Sequence, residues 1–296
     1  MLDFRTQTFL SVCRHGSFTK AAQELNLTQP CVSQHIRHLE SYYGVKLFTY
    51  DGKTLALTHA GETIHNALLS FRHDELRLKD AVRTEGRRER RLKFGATLSV
   101  GGYYLPERLV RFLQSDPALQ IDLTISDTQN LLTLLDGGSI DFALIEGFFS
   151  KAEYDHIPIR REELVAVRGA EYPLGEVRRL SDLFGCPLIV REAGSGTREV
   201  LARYLEENGY SLARFSRIST VNDPHLILEL LIHNLGIGFL YRPVVERGLQ
   251  SGRLVRIPIP GCAIAHEFSF IWRKNSIFAD SYRAVFRRLI GDAADT

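Results

Sequence analysis

The stretch SFTKAAQELNLTQPCVSQHIRHLESYYGVKLFTYDGKTLALTHAG, residues Ser17–Gly61, decides how the remainder of the chain is read. Ser17 offers the hydroxyl of a helix N-cap. Ala21, Ala22 and Leu25 follow at helical spacing with an apolar face whose small residues permit close helix packing. Asn26 tolerates the left-handed backbone needed to leave that helix. Leu27 drops into the core, Thr28 caps a new helix, and Pro30 sits near its start, where a missing N–H costs little. Val32, Ile36 and Leu39 form the buried stripe of this helix, which is predicted over Thr28–Tyr43. Its opposite face presents Gln29, Ser33, Gln34 and Arg37, side chains that hydrogen-bond base edges and phosphates. The pair reads as a helix-turn-helix whose second helix enters a major groove. After it, Val45–Phe48 alternates toward a strand, Asp51-Gly52 is a hairpin turn signal, and Thr54–Leu57 returns. That hairpin is a wing able to set Lys46 and Lys53 against phosphates. Pattern, caps, polar outer face and basic wing together make double-stranded DNA the expected partner.

The same residues, taken in order, resemble the LysR-type transcriptional regulators. The match runs through Phe9-Leu10, Gly16–Ala22, Leu27–Gln34 and Ile36–Glu40, and closes with Gly44–Phe48 and Leu57–Gly61. The resemblance implies that Gln29, Pro30, Ser33, Gln34 and Arg37 face DNA. Ser17, Thr19 and Thr28 at the helix starts and Lys53 in the wing complete the candidate DNA-binding set. One departure stands in the wing, where the family pattern carries two arginines. Here Tyr50 takes the place of the first and Lys53 of the second, and a lysine binds phosphate as a point charge without the planar fork.

Working outward, Phe4, Phe9, Val12 and Cys13 suit a first helix beneath the helix-turn-helix. The whole chain of 296 residues has room for two or more domains, and 44% hydrophobic with 24% charged residues describes an ordinary globular protein. A net charge of only +2 means that DNA binding must come from charge placement, not charge total. The basic run Arg77, Lys79, Arg83, Arg87, Arg88, Arg90, Arg91 and Lys93 reads as a solvated helix face in preference to a DNA contact. Cys13, Cys31, Cys186 and Cys262 lie far apart with no metal-ligand spacing, so no disulfide framework, metal or cofactor is expected. The N-terminus lacks a basic region followed by an apolar core, and no apolar run is long enough to span a bilayer. A cytoplasmic location away from membranes is therefore expected.

From Thr58 a long helix is predicted. Along it Leu57, Gly61, Ile64, Leu68, Phe71, Leu78 and Val82 step by fours and threes, a heptad seam interrupted by Glu75 that calls for a partner helix. Two copies side by side would present two recognition helices to an imperfect inverted repeat. The resemblance implies the same linker helix, a homodimer or homotetramer, and RNA polymerase as a further partner. The helix is expected to fade near Gly86, with Arg87–Arg91 as a charged hinge. The boundaries expected are 1–58 for the winged helix-turn-helix, 59–91 for the linker helix and hinge, and 92–296 for a two-lobed effector-binding domain.

From Leu92 short apolar strands alternate with amphipathic helices, the signature of an α/β fold with a largely parallel sheet. Strands are expected at Leu92–Ala96, Ile121–Ile125, Asp141–Ile145, Leu164–Val167, Pro187–Val190, Arg217–Val221 and Gly236–Leu240. The layout suits two lobes, one of about 92–160 with 269–296 and the other about 161–268. The family carries an effector domain of this type, related in fold to periplasmic binding proteins. A ligand in such a sheet sits beyond the carboxyl ends of the strands, against helix N-termini. Thr97-Leu98-Ser99 and the loop Arg191–Arg198, with Ser195, Gly196 and Thr197, have the right chemistry, and Thr128, Gln129, Glu146, Asn222 and Asp223 lie at other strand ends. Position for position, the resemblance puts effector contacts at Thr97, Ser99, Thr128, Ser195 and Thr197. A small organic anion is the expected ligand, with Glu146 meeting a cationic or hydroxylic group on it. No catalytic residues are expected: Gly194-Ser195-Gly196 lacks the Gly two before the Ser that a nucleophile elbow needs, and no phosphate-loop lysine or His-Glu-x-x-His occurs. The alternative is a solute-binding protein without DNA function, which would not need Ser17–Gly61.

Overall fold

The computed structural model describes residues 3–51, 54–83 and 90–291. Gly52 and Lys53 of the wing turn, and Gly86 with Arg87 and Arg88 of the expected hinge, lie outside the described residues. The chain begins with α1 (Phe4–His15), α2 (Phe18–Glu24) and α3 (Gln29–Tyr43), then the antiparallel hairpin β1 (Phe48–Asp51) and β2 (Thr54–Leu57). Local chemistry sets these boundaries. The Ser17 hydroxyl accepts from the Lys20 N–H at 3.3 Å, and the Thr28 hydroxyl accepts from the Cys31 N–H at 3.4 Å. Asn26, at φ 54°, makes the left-handed exit between them. Phe9, Val12, Ala21, Val32, Ile36, Leu39 and Leu47 are buried together. Each large apolar side chain among them contributes about 1.5–3 kcal/mol to holding the three helices at one angle.

The Thr58 hydroxyl donates to the Lys46 carbonyl and accepts from the Gly61 N–H at 3.0 Å, so it caps α4 (His59–Arg83) against the wing. Gly61 is required there, because a Cβ would run into the Leu47 carbonyl. The expected heptad seam is divided. Its first half packs on the reading head: Gly61 and Leu68 are buried and Ile64 is half-buried. Phe71, Leu78 and Val82 stand exposed. The opposite face of α4 lies on the C-terminal part of the chain, a support that the heptad pattern does not anticipate. There the Ser70 hydroxyl donates to the Lys274 carbonyl at 2.8 Å and Asp74 accepts from Ser276 and from the Ile277 N–H. These partners are some 200 residues away in sequence and leave no periodic mark.

The C-terminal part continues as β3 (Arg90–Thr97), α5 (Pro106–Ser115), β4 (Leu119–Ser126), α6 (Thr128–Gly137), β5 (Phe142–Ile145) and β6 (Tyr154–Gly169). Next come β7 (Pro187–Val190), α7 (Gly196–Glu207), β8 (Arg217–Thr220), α8 (Pro224–Ile232), β9 (Ile237–Tyr241), α9 (Arg242–Gln250), β10 (Leu254–Arg256), β11 (Ile264–Arg273) and α10 (Ala279–Ile290). Two parallel triplets, β4-β3-β5 and β9-β7-β8, are the centres of two lobes. The long antiparallel pair β6 and β11 joins them, so the sheet is mixed where a largely parallel one was expected. Sequence periodicity fails here because β6 passes from one lobe to the other, and its 16 residues are buried on different faces along its length. Their pairing slips by one residue at Phe268/Ser269, a bulge at the crossing point. No helix among the described residues is long and apolar enough to cross a membrane.

Candidate functional site

On α3 the exposed side runs Gln29, Pro30, Gln34, Arg37 and His38, with Ser33 half-buried between them. The Gln29 amide donates to the Ser33 hydroxyl at 3.0 Å, one helical turn away, which holds both side chains along the outer face. Thr19 is exposed at the start of α2. The hydroxyls of Ser17 and Thr28 are spent on capping, so these two residues shape the face instead of offering a free hydroxyl to it. Lys46 reaches Glu40 at 2.6 Å, and Glu40 also accepts from the Leu47 N–H, so that lysine ties the wing to α3 while most of its side chain stays exposed. Lys53 lies outside the described residues.

In the basic run after the wing, Lys79, Arg83 and Arg91 are exposed, as a solvated face requires, and Arg77 departs from that reading. Arg77 stacks over the Phe278 and Tyr282 rings at 4.6 and 4.4 Å. Lys79 pairs with Glu75, Arg91 with Asp122, and Lys93 with Asp80. These cations hold the linker and the first strand to their own surroundings.

Between the lobes a second group of residues comes together from four separate segments. Ser99, in the helical turn after β3, lies 3.5 Å from the Thr197 hydroxyl at the start of α7, and that hydroxyl donates to Glu146 Oε1 at 3.4 Å at the end of β5. Gly196 meets Gly147 so closely that a Cβ on Gly196 would come within 2.5 Å of the Gly147 Cα, and one on Gly147 would come within 2.7 Å of the Thr128 Cγ2. Gly194, at φ 90°, approaches Asp127 and Gln129 across the same seam. The lobes therefore touch through glycines, which lets polar side chains face each other. Ser99, Thr128, Glu146, Ser195 and Thr197 are all at least 97% buried. The Thr97, Thr128 and Ser195 hydroxyls and Glu146 Oε2 have no hydrogen-bond partner among the described residues. Orphaned buried polar groups cost about 1–3 kcal/mol each, so a protein keeps them where something else completes them.

Two candidates sit apart from this cluster. Gln129 and Asn222 are exposed, the first at the mouth of the seam beside Gly194 and the second in the loop before α8. Leu98 is half-buried in the turn that leads, through the wide stretch Val100–Tyr104, into α5. Arg191 opens the loop Arg191–Arg198 with no mark in the sequence to single it out, and the fold makes it a principal member. It is 2% exposed, two of its guanidinium nitrogens grip Glu192, and Nη1 has no partner among the described residues. Burial pushes the Glu146 carboxyl up to about 7, with the Arg191 charge opposing the rise. Tyr241 donates to the Glu146 carbonyl at 3.4 Å from β9. Only the position of Arg191 at a strand end could have flagged it. The arrangement offers hydroxyls, one fixed cation and a carboxyl able to donate or accept, and it suits a small polar molecule carrying negative charge.

Residues 5–62 match the family model described as bacterial regulatory helix-turn-helix protein, lysR family, and residues 85–293 match the LysR substrate binding domain. The RuBisCO operon transcriptional regulator of Allochromatium vinosum is 26% identical, covering 97% of this chain and 95% of its own. The HTH-type transcriptional activator CmpR of Synechocystis sp. is 30% identical over 93% of this chain and 91% of its own. Among solved structures, full-length LysG from Corynebacterium glutamicum with bound effector Arg superposes with a TM-score of 0.61 at 17% identity, covering 99% of this chain and 98% of that one.

Proposed function

Because the chain belongs to the LysR family of transcriptional regulators, we propose that α3 reads DNA while the crevice between the lobes binds a small organic anion that resets the reading. The roles are specific. Gln29, Ser33 and Gln34 contact base edges in the major groove, Arg37 holds phosphate, and Pro30 and Thr19 line the approach. In the crevice, Arg191 and the start of α7 take the anion, and Ser99, Thr128, Ser195 and Thr197 hydrogen-bond its polar substituents. Glu146, poised near neutrality, donates its proton to an acceptor or meets a hydroxyl.

One observation carries the coupling. Helix α6 begins with Thr128 in the crevice and ends at the linker helix. Its Asp136 carbonyl accepts from Arg72 at 2.6 Å, its Asp136 carboxylate pairs with Arg273 at 2.9 Å, and Gly138 just beyond it packs on Leu76. Ten residues of helix make a rod of about 15 Å. A ligand that draws Thr128 toward the second lobe therefore tilts a rod whose far end bears on α4. Such differential contact supports a coupling of about 1–3 kcal/mol between the two sites. The exposed Phe71, Leu78 and Val82 support a second copy of the chain on the remaining face of α4, in a dimer or tetramer that places two α3 helices on an inverted repeat. A cytoplasmic location and RNA polymerase as a further partner belong to the same reading.

A gel shift on DNA from upstream of the protein's own coding region tests this. Retardation that resists excess unrelated duplex is the expected outcome, and equal competition by unrelated DNA contradicts the reading.

A further inference from the structure

Where the reading head, the linker helix and the first lobe meet, a cavity of about 500 Å3 opens among α1, α4 and α6. It is separate from the crevice between the lobes, and none of its lining residues belongs to that site. Its walls differ in chemistry. Leu10, Cys13 and Leu69 give it apolar lining, and Arg14, His65, Arg72, Thr133 and Asp136 give it polar and charged lining. Arg72 has no carboxylate within 4 Å among the described residues. Its Nη2 donates to the Asp136 carbonyl, and its buried Nε has no partner among the described residues. The Asp136 carboxylate nearby is already shared by Arg273 at 2.9 Å and the Tyr154 hydroxyl at 2.7 Å. Arg14 reaches Glu24 at 2.7 Å, but Glu24 also serves His15 and Ser11, and more than half of the Arg14 side chain remains exposed. Arg72 thus has no carboxylate of its own, since Asp136 is engaged by Arg273 and Tyr154 and Glu24 by Arg14, and a half-buried guanidinium without a paired anion is costly. Burial and the Arg14 and Arg273 charges all disfavour the charged form of Arg72, while Asp136 opposes them.

We propose that this junction cavity is a second ligand site, binding a small organic acid by its carboxylate on Arg72 and Arg14 with an apolar body against Leu10 and Leu69. The volume lies within the range of ordinary small-molecule pockets. The bound acid touches the first helix of the reading head, the linker and the far end of α6 at once. It therefore stiffens the joint through which crevice binding is passed on, and the two ligands become coupled without sharing a contact. The site stands on its own charges and walls and does not require the crevice to bind anything.

The test is titration of the full-length protein with 4-fluorophenylacetate, an apolar ring bearing one carboxylate, followed by the 19F signal at millimolar concentrations suited to so few contacts. The wild type is compared with the crevice variant Ser195→Ala/Thr197→Val and with Arg72→Gln and Arg14→Gln. Binding should persist in the crevice variant and weaken about tenfold or more in Arg72→Gln, as loss of a charge-assisted hydrogen bond does. Arg14→Gln, a change at an exposed side chain that leaves folding intact, should weaken it severalfold. Absence of binding to the wild type, loss of all binding in the crevice variant, or unchanged affinity in Arg14→Gln would each overturn the proposal.

Discussion

The outer face of α3 and the interior of the crevice are two ways of building a polar site. The first is a row of exposed side chains on one helix, fixed from below by Val32, Ile36 and Leu39, and almost nothing in the fold depends on those side chains. The second is assembled from β3, α6, β5 and α7, and its polar groups are buried between lobes that meet through Gly147 and Gly196. Substitutions on the face should therefore change what is recognised, and substitutions in the crevice should change both recognition and stability.

The sharpest separation comes from Glu146→Gln. Between its ordinary value of 4.5 and the folded value of about 7, the Glu146 carboxyl binds more proton in the folded than in the unfolded chain. Its contribution to stability is thus fully present below pH 4.5 and is lost as pH rises to about 7. The glutamine variant should lack this slope, match the wild type in acid, and exceed it by up to about 3 kcal/mol above neutrality in denaturant titrations. A variant that keeps the wild-type slope would break the comparison. Next in size, Gly196→Ala drives a methyl into the Gly147 backbone and should cost about 1–3 kcal/mol by thermal unfolding, with DNA affinity unchanged. On the face, Gln29→Ala should cost about 1–3 kcal/mol of discrimination between the preferred site and one altered at the contacted base pair. Its unfolding free energy should stay within about 0.5 kcal/mol of the wild type. Smallest of all, Arg37→Ala should weaken every duplex alike and lower the slope of log affinity against log salt by about one.

The two regions were unequally legible in the sequence, for a physical reason. Ser17, Asn26 and Thr28 act on backbone groups within a few residues of themselves, so the helix-turn-helix could be placed nearly to the residue. Pro187–Val190 was likewise bounded by local signals. The crevice hydroxyls were found as strand-end residues before helices, but nothing local could say that Asn222 would remain outside or that Arg191 would be buried with a free nitrogen. The docking of α4 on Lys274, Ser276 and Ile277 was invisible for the same cause. The passage between lobes near residue 160 and the return near residue 269 were legible, and the antiparallel pairing of β6 with β11 was not. Burial of a charge depends on which distant segment folds over it.

The division of labour is tested most directly by measuring one pair of variants in two assays. Gln29→Ala/Gln34→Ala and Ser195→Ala/Thr197→Val are each assayed for selective retardation of the upstream DNA and for the thermal shift produced by a panel of small organic acids. The first should lose selectivity and keep the wild-type shift, and the second should keep selectivity and lose the shift for at least one acid. If both properties fall together in either variant, or no acid shifts the wild type, the reading and sensing functions are not divided as described.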